Sequence, residues 1–320
     1  MLESIHIQNF KGFKNTQIGP FRKVNLIIGG QNVGKTSLLE AVYASVALSP
    51  YDALSVFRQN EGNDKARHTK SASHPEFLIN TQFDDGTGLL IATKNLRSFK
   101  ISIGEEVTFR GLSELMMNSS VSFRAWNTGS GKRHKPLPCK AIPYSLPSQI
   151  QLVELFGRVI LSRKKKELMN LLKKVDERLA SLDAIAPDGE QRIYAELEGS
   201  PQALPINMLG HGFSRLVYLF SELLASDAKI ALIDEIENGI HYSALPTLFE
   251  GIKAVAQERQ VQSLITTHSW DCLRAACEVF EDTPDMFQVI RLERHGDDVK
   301  AVCIDGERML RLMAEEREVR

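Results

Sequence analysis

Apolar and polar positions alternate at the start of the chain and then give way to a glycine-rich loop. Ile5, Ile7 and Phe10 follow the two-residue period of a strand with one buried face. The run KVNLIIG, at 23–29, is apolar and rich in β-branched residues, which predicts a buried strand that ends at the loop. After the loop, apolar residues recur every three or four positions and predict a helix over 35–48. The loop is therefore expected to join a strand to a helix.

The middle of the chain changes its period twice. Residues 49–75 are polar and predict a loop or a short exposed helix. The stretch 76–111 has the alternation of antiparallel strands, with turns expected at 85–86 and at Gly104. Over 147–184, apolar residues return at helical spacing with dense charges between them, which predicts two helices in an inserted arm.

The last third of the chain alternates between helical and strand patterns. The predicted elements are a helix over 211–226, a strand over 229–235, a helix over 244–259 and a strand over 262–268. Strands that alternate with helices are typical of parallel sheets. We therefore predict an α/β fold with an antiparallel β lobe at its N-terminus, a parallel-sheet core and an inserted helical arm.

The composition suits one large domain. Of the 320 residues, 43% are hydrophobic and 25% are charged, which allows a sizeable core and excludes a disordered chain. Within a single domain we predict three parts. These are an N-terminal β lobe with the glycine loop (1–145), a helical insertion (146–200) and a C-terminal lobe (201–320).

The charge balance offers no general attraction for nucleic acid. The 39 basic and 40 acidic side chains give a formal net charge of -1, so any DNA contact must come from a local patch. The basic cluster at 163–166 is one such patch. It is explained either as a solvated helix face, the interpretation we favour, or as a DNA contact.

Cysteine usage and hydropathy point to a cytoplasmic protein. The N-terminus lacks the basic start and continuous apolar run of a signal peptide, and no run approaches the roughly 20 apolar residues of a membrane helix. We expect no membrane partner. Without a metal-binding spacing, the cysteines are expected to be reduced and mostly buried; they are Cys139, Cys272, Cys277 and Cys303.

The glycine loop has the spacing of a phosphate-binding loop. Gly29, Gly34, Lys35 and Thr36 match the pattern G-x-x-x-x-G-K-[ST], in which backbone N–H groups wrap a polyphosphate. Lys35 is expected to reach the β- and γ-phosphates, and Thr36 to place its hydroxyl on Mg²⁺. The predicted nucleotide-binding residues of the loop are Gly29, Gly30, Gln31, Asn32, Val33, Gly34, Lys35, Thr36 and Ser37.

Three further stretches carry candidate chemistry. Asp234 and Glu235 end an apolar strand, so one can hold Mg²⁺ and the other can act as general base; alone, they could be two solvated acids. His268 ends the next strand and is placed to meet a γ-phosphate or its attacking water, although a lone histidine is usually structural. Gly210 and Gly212 precede a helix and offer bare N–H groups to an anion, or simply start the helix.

In chain order, these stretches resemble the ABC-type ATPase heads of the SMC/RecF/OLD group, particularly short bacterial ATPases related to OLD nucleases. IHIQNFKGFKNTQIGPFRKVNLIIGGQNVGKTSLLEA resembles the group's first strands and Walker A. LIDEIENGIHYSAL resembles its Walker B and D-loop, and QSLITTHSWDCL its final strand and switch histidine. The resemblance covers roughly the first 45 and the last 120 residues.

The chain departs from the pattern of these families at several positions. The transporter signature L-S-G-G-Q is replaced by LGHGF, with Gly210 where the serine would lie. In the family, this signature segment, residues 209–212 here, completes the ATP site of a second protomer. Gln82 is the candidate for the Q-loop glutamine. Lys11 and Lys14 lie where relatives often place a basic residue near the phosphates, and surface lysines explain them equally well.

The resemblance implies an ATPase that forms a head-to-head homodimer, or a higher homo-oligomer, around ATP and Mg²⁺. We expect this ATPase to be the switch subunit of a DNA-associated system. One such system would be anti-phage defence, in which a separate protein supplies the nuclease or other effector. The alternative is a RecF-like repair ATPase that clamps duplex DNA directly. A transporter subunit is disfavoured because the transporter signature is missing.

Overall fold

A computed structural model describes most of the chain. The described residues are 1–46, 76–83, 88–94, 98–103, 105–110, 137–187 and 189–315. The loop predicted over 49–75 and the turns at 85–86 and Gly104 lie outside them. Among the described residues, no helix has the length and apolar character needed to cross a membrane.

A mixed six-stranded sheet forms the core of the molecule. Its order is β15-β14-β3-β13-β12-β8, and every neighbouring pair is parallel except β14 with the edge strand β15. The strands are β3 (Val24–Gly29), β8 (Cys139–Ile142), β12 (Ile230–Ile233), β13 (Gln262–Thr266), β14 (Phe287–His295) and β15 (Asp298–Asp305). This parallel core confirms the predicted α/β fold.

Both faces of this sheet are covered. Along β3, Val24, Leu26 and Ile28 belong to one apolar cluster, and Ile27 belongs to the other. A strand buried on both sides reads as a continuous apolar run, as KVNLIIG does. The helices are α1 (Lys35–Val46), α2 (Gln149–Leu161), α3 (Lys165–Lys173), α4 (His211–Ala225), α5 (Leu245–Glu258), α6 (Trp270–Val279) and α7 (Gly306–Ala314).

An antiparallel sheet of order β2-β1-β4-β5-β6-β7 forms the predicted N-terminal β lobe. Its first strand is tied to the core sheet by Gln262, which accepts a hydrogen bond from Leu2 N at 2.8 Å and donates to Leu2 O at 2.9 Å. The strands are β1 (Leu2–Phe10), β2 (Phe13–Ile18), β4 (Glu76–Phe83), β5 (Gly88–Lys94), β6 (Ser98–Ile103) and β7 (Glu105–Arg110).

The predicted helical insertion contains α2 and α3, but its later part is a sheet. The strands β9 (Leu179–Ile185), β10 (Arg192–Leu197) and β11 (Leu204–Pro205) pair antiparallel, so the helical pattern assigned up to residue 184 is wrong there. The reason is a register shift opposite Leu197, which lets Leu179 and Leu182 both be buried at a helix-like spacing of three. Apolar side chains of α2, α3 and these strands join the cluster that contains α4 and α5.

Candidate active site

The loop between β3 and α1 depends on glycine for steric reasons. Gly29 has a φ of +147°, and a Cβ there would lie 2.6 Å from the carbonyl oxygen of Leu292 on the neighbouring strand β14. Gly34 has a φ of +106°, and Asn32 adopts a left-handed φ of +55°, which asparagine tolerates better than most residues. The backbone therefore folds tightly back from the strand to the start of α1.

Lys35 turns back into this loop. Its Nζ donates hydrogen bonds to the carbonyl oxygens of Gly29 and Gly30, both at 2.8 Å, and lies 3.2 Å from Nδ1 of His268. Burial lowers the pKa of Lys35 to about 8, against the opposing effect of nearby carboxylates, chiefly Glu235. The structure thus places the predicted phosphate lysine and the predicted switch histidine in contact.

Asp234 and Thr36 meet at the end of β12. The Thr36 hydroxyl lies 3.2 Å from both carboxylate oxygens of Asp234, and the Thr266 hydroxyl donates to Oδ1 at 2.6 Å. Burial raises the pKa of Asp234, while the two hydroxyl hydrogen bonds act in the opposite direction. A hydroxyl and a carboxylate side by side are the hard oxygen ligands that Mg²⁺ prefers, so the two residues fit the predicted metal role.

Glu235 directly follows Asp234 and points to the same place. Its backbone is left-handed, with a φ of +44°, and its N–H donates to the Thr266 hydroxyl at 2.8 Å. The carboxylate is partly exposed, with Oε1 3.8 Å from Nε2 of His268. Burial, and then the negative charge of Asp234, raise the pKa of Glu235, which suits a group that must accept a proton.

Three residues that hold this site together were not predicted from the sequence. Thr266 bridges Asp234 and Glu235, Glu237 accepts a hydrogen bond from the backbone N–H of His268 at 2.7 Å, and Arg215 lies behind Asp234. Each left some trace in the sequence. Thr266 is a hydroxyl residue near the end of an apolar strand, and Glu237 is a third acid shortly after Asp234 and Glu235. Arg215 is a charged residue within an otherwise apolar helix.

The signature segment, 209–212, is not bonded to the phosphate loop among the described residues. Gly210 precedes α4 with a φ of +101°, is exposed, and has no atom within 4 Å of where a Cβ would lie. A Cβ at Gly212 would lie 2.7 Å from the carbonyl oxygen of Gly239. Among the described residues, no hydrogen bond links Gly210 or Gly212 to the loop at 29–37.

Two other basic candidates are engaged elsewhere. Lys11 forms an ion pair with the buried carboxylate of Glu40 in α1, and Lys14 pairs with the exposed Asp297 at 3.3 Å. The side chain of Gln82 lies outside the described residues, so the Q-loop candidate stays a prediction.

In the basic cluster at 163–166, two lysines are held by neighbouring acids. Lys164 pairs with Glu167 at 2.5 Å and Lys165 pairs with Asp183 at 2.6 Å. These pairs match the solvated helix face that the sequence favoured over a DNA contact.

Comparison with known proteins finds ATPases among the similar sequences. The family model of the AAA ATPase domain matches residues 1–134 and 144–273. An ATP/GTP phosphatase of Helicobacter pylori is 23% identical over 353 residues, covering 95% of this chain and 92% of that protein.

Solved structures show the same fold. The SmcHead bound to the C-winged helix domain of ScpA superposes with a TM-score of 0.60 at 14% identity, covering 95% of this chain and 97% of that one. The SMC head domain from Thermotoga maritima gives a TM-score of 0.56 at 13% identity, with 95% and 99% coverage.

Proposed function

The chain belongs to the AAA ATPase domain family and is an ABC-type ATPase with the fold of an SMC head, and we propose that it works as an ATP-operated switch subunit. In this proposal, two copies close head to head around two ATP molecules, and hydrolysis lets them separate. ATP can drive such a change only by binding the closed pair more tightly than the open one.

Each candidate residue has a defined part in hydrolysis. The loop N–H groups hold the phosphates, and Lys35 exchanges its main-chain acceptors for phosphate oxygens. Thr36 and Asp234 would hold Mg²⁺, which supplies positive charge against the phosphates. Glu235 takes a proton from the water whose oxygen attacks the γ-phosphorus, while the bond to the β-phosphate oxygen breaks. His268 lies beside both Lys35 and Glu235 and orients the γ-phosphate or this water.

One observation carries the dimer proposal. The groups proposed for phosphate, metal and water converge at one edge of the core sheet, whereas Gly210 of the signature segment is exposed and, among the described residues, has no hydrogen bond to them. A second copy could place its own signature segment over this edge, because helix N-termini present unpaired N–H groups that attract phosphate. In a head-to-head pair, each of the two sites would then take its signature segment from the opposite subunit.

We propose that the switch acts on a separate partner protein. The support is analogy of fold, since one of the structural neighbours is an SMC head bound to a winged-helix domain of ScpA. We further propose that the protein is OLD-like and works in a DNA-associated system. Its partner would then be a nuclease or other effector of anti-phage defence.

The test combines turnover with the oligomeric state of Glu235→Gln. We expect ATP binding to persist, steady-state hydrolysis to fall by about three orders of magnitude, and a dimer to accumulate with Mg²⁺-ATP in light scattering. Glu250→Gln, an exposed carboxylate of α5, is the matched control and should hydrolyse ATP normally. Hydrolysis by Glu235→Gln at the wild-type rate would show that Glu235 is not the base.

The same assay is repeated with duplex DNA. Turnover that rises with DNA, together with ATP-dependent and salt-sensitive DNA binding, would favour the RecF-like clamp over the partner-protein switch. A turnover rate that does not change with DNA would support the switch that acts on a partner protein.

A further inference from the structure

Arg215, in the second turn of α4, is the largest fully buried side chain among the described residues. No described carboxylate forms an ion pair with it, and its Nε has no hydrogen-bond partner among the described residues. Burial lowers the pKa of Arg215 to about 10, so the guanidinium keeps its charge near neutral pH. The guanidinium lies over the ring of Tyr218, 5.6 Å from its centroid, but burying a charge without an ion-pair partner is costly.

The guanidinium touches the ends of two core strands. Nη1 donates to the carbonyl oxygen of Pro143, just after β8, at 2.7 Å. Nη2 lies 3.5 Å from the carbonyl oxygen of Asp234, just after β12. Arg215 therefore ties α4 to the backbone at the point where the chain turns from Asp234 into the left-handed Glu235.

The start of α4 also contacts the chain a few residues after Asp234, at Gly239. We call residues 234–239 the Walker B segment. At its far end, a Cβ added at Gly239 would collide with the ring of His211, and one added at Gly212 would lie 2.7 Å from the Gly239 carbonyl oxygen. The first two turns of α4 therefore contact both ends of the Walker B segment.

The opposite side of the Walker B segment is held by the core sheet. Thr266 bonds Asp234 and Glu235, and its carbonyl oxygen accepts from the N–H of Ile236 at 3.1 Å. Glu235 thus sits in a segment held between a strand of the core sheet and the helix that begins at the signature segment. Such packed contacts have discrete arrangements rather than continuous ones, so a displacement of α4 must be transmitted or the contacts must break.

We propose that Arg215 is a positioning residue through which α4 sets the conformation of the turn that carries Glu235. The inference rests on the proposed role of Glu235 as the base. If this is so, a contact made at the signature segment changes the rate of ATP hydrolysis in the same subunit, because α4 moves the turn that carries Glu235. The positively charged guanidinium lies against the carbonyl oxygen of Asp234 and favours the orientation of that carbonyl.

Arg215→Met and Arg215→Lys test the proposal, with Arg259→Met as the matched control. Arg259 also donates to main-chain carbonyls of α4, those of Leu223 and Leu224 at 2.8 and 2.7 Å, but at the other end of the helix. We expect Arg215→Met to bind ATP within about threefold of wild type and to hydrolyse it about 30-fold more slowly. Arg215→Lys, which keeps the charge and one donor, should recover part of this loss, and Arg259→Met should lose stability without a comparable loss of kcat.

A double substitution shows whether Arg215 acts through Glu235. In a Glu235→Gln background, adding Arg215→Met should slow hydrolysis no further, because residues that act as a unit are not additive. An Arg215→Met protein that melts at the wild-type temperature with wild-type kcat would overturn the proposal, as would loss of kcat in step with melting temperature in both arginine variants. Glu235→Gln at wild-type rate would instead refute the proposed function itself, and this inference with it.

Discussion

Two helices begin beside glycines of the predicted ATP site, α1 and α4, and the two helix starts differ in their surroundings. At the loop before α1, the surroundings belong to the same chain, because Lys35 donates to the loop carbonyls and Gly29 lies against β14. At the signature segment before α4, Gly210 is exposed with open space around it, and Gly212 is packed on Gly239. In the proposed function, the first is a phosphate site formed within one chain, and the second is a surface that contacts another subunit.

The difference separates two kinds of property. Binding of ATP should belong to the single chain, because its loop, lysine and metal ligands are assembled within it. Control of hydrolysis should belong to the pair, because α4 connects an exposed surface to the segment that carries Glu235. Four substitutions can break or sharpen this distinction.

Lys35→Ala is expected to have the largest effect. Removing the ammonium takes a charged donor from the phosphates, and we expect ATP affinity to fall at least about 100-fold, equal to about 3 kcal/mol. Binding is measured with a fluorescent ATP analogue. Lys14→Ala is the control, since Lys14 is exposed and pairs with Asp297. Equal losses in both variants would show that the phosphate lysine has been misplaced.

Thr266→Val should slow hydrolysis without abolishing ATP binding. It removes a hydrogen bond to the Asp234 carboxylate and one from the Glu235 N–H, and we expect a fall in kcat of about 30-fold, near 2 kcal/mol. Thr266→Ser should restore most of the rate. Thr267→Val, whose hydroxyl accepts from Ser269 N instead, is the neighbouring control. A normal kcat in Thr266→Val would remove this residue from the site.

Gly210→Asp tests whether the signature segment acts on a second subunit. A carboxylate at the signature segment would repel the phosphates of a second subunit, so turnover and ATP-dependent dimerisation should fall about tenfold while ATP binding persists. Gly210→Asn has the same shape and backbone strain without the charge. Its turnover should therefore exceed that of Gly210→Asp.

Mixing Gly210→Asp with Lys35→Ala sharpens this prediction. Half of randomly paired dimers would be mixed, and each mixed dimer would contain one site with an intact loop and an intact signature segment. We expect turnover to recover to about a quarter of the wild-type rate. If the mixture is no more active than its components, the sites are not shared between subunits.

Lys174→Ala sets the lower limit of the series. Lys174 pairs with Glu250 at 2.8 Å, and both side chains are about half exposed. An exposed ion pair contributes little, so we expect the free energy of unfolding to change by less than about 1 kcal/mol and turnover to stay the same. A larger effect on kcat would show that the assay reports general destabilisation rather than the site.

The elements with an unbroken period were predicted well. The strand β3 before the phosphate loop, the helix α4 and the strands β12 and β13 all carry local patterns that match their burial. The strand β9 was misread because a register shift produces helix-like spacing between Leu179 and Leu182, and no local pattern reveals the partner strand that causes it.

The sequence by itself determined the parts of the site that one short stretch can encode. A phosphate loop needs glycines, a lysine and a hydroxyl at fixed spacing. A buried strand that ends in two acids can be recognised from its continuous apolar run. These local constraints point to Lys35, Thr36, Asp234, Glu235 and His268 from the residue pattern alone, and the fold brings them together at one edge of the core sheet.

Only the tertiary structure decided what holds those residues in place. Thr266 meets Asp234 because two parallel strands end side by side, and Arg215 meets both β8 and β12 because α4 packs over their ends. These contacts join residues far apart in the chain, so no spacing records them. The exposure of Gly210 and the contact of Gly212 with Gly239 have the same origin, since the position of a helix is set by packing rather than by its own sequence.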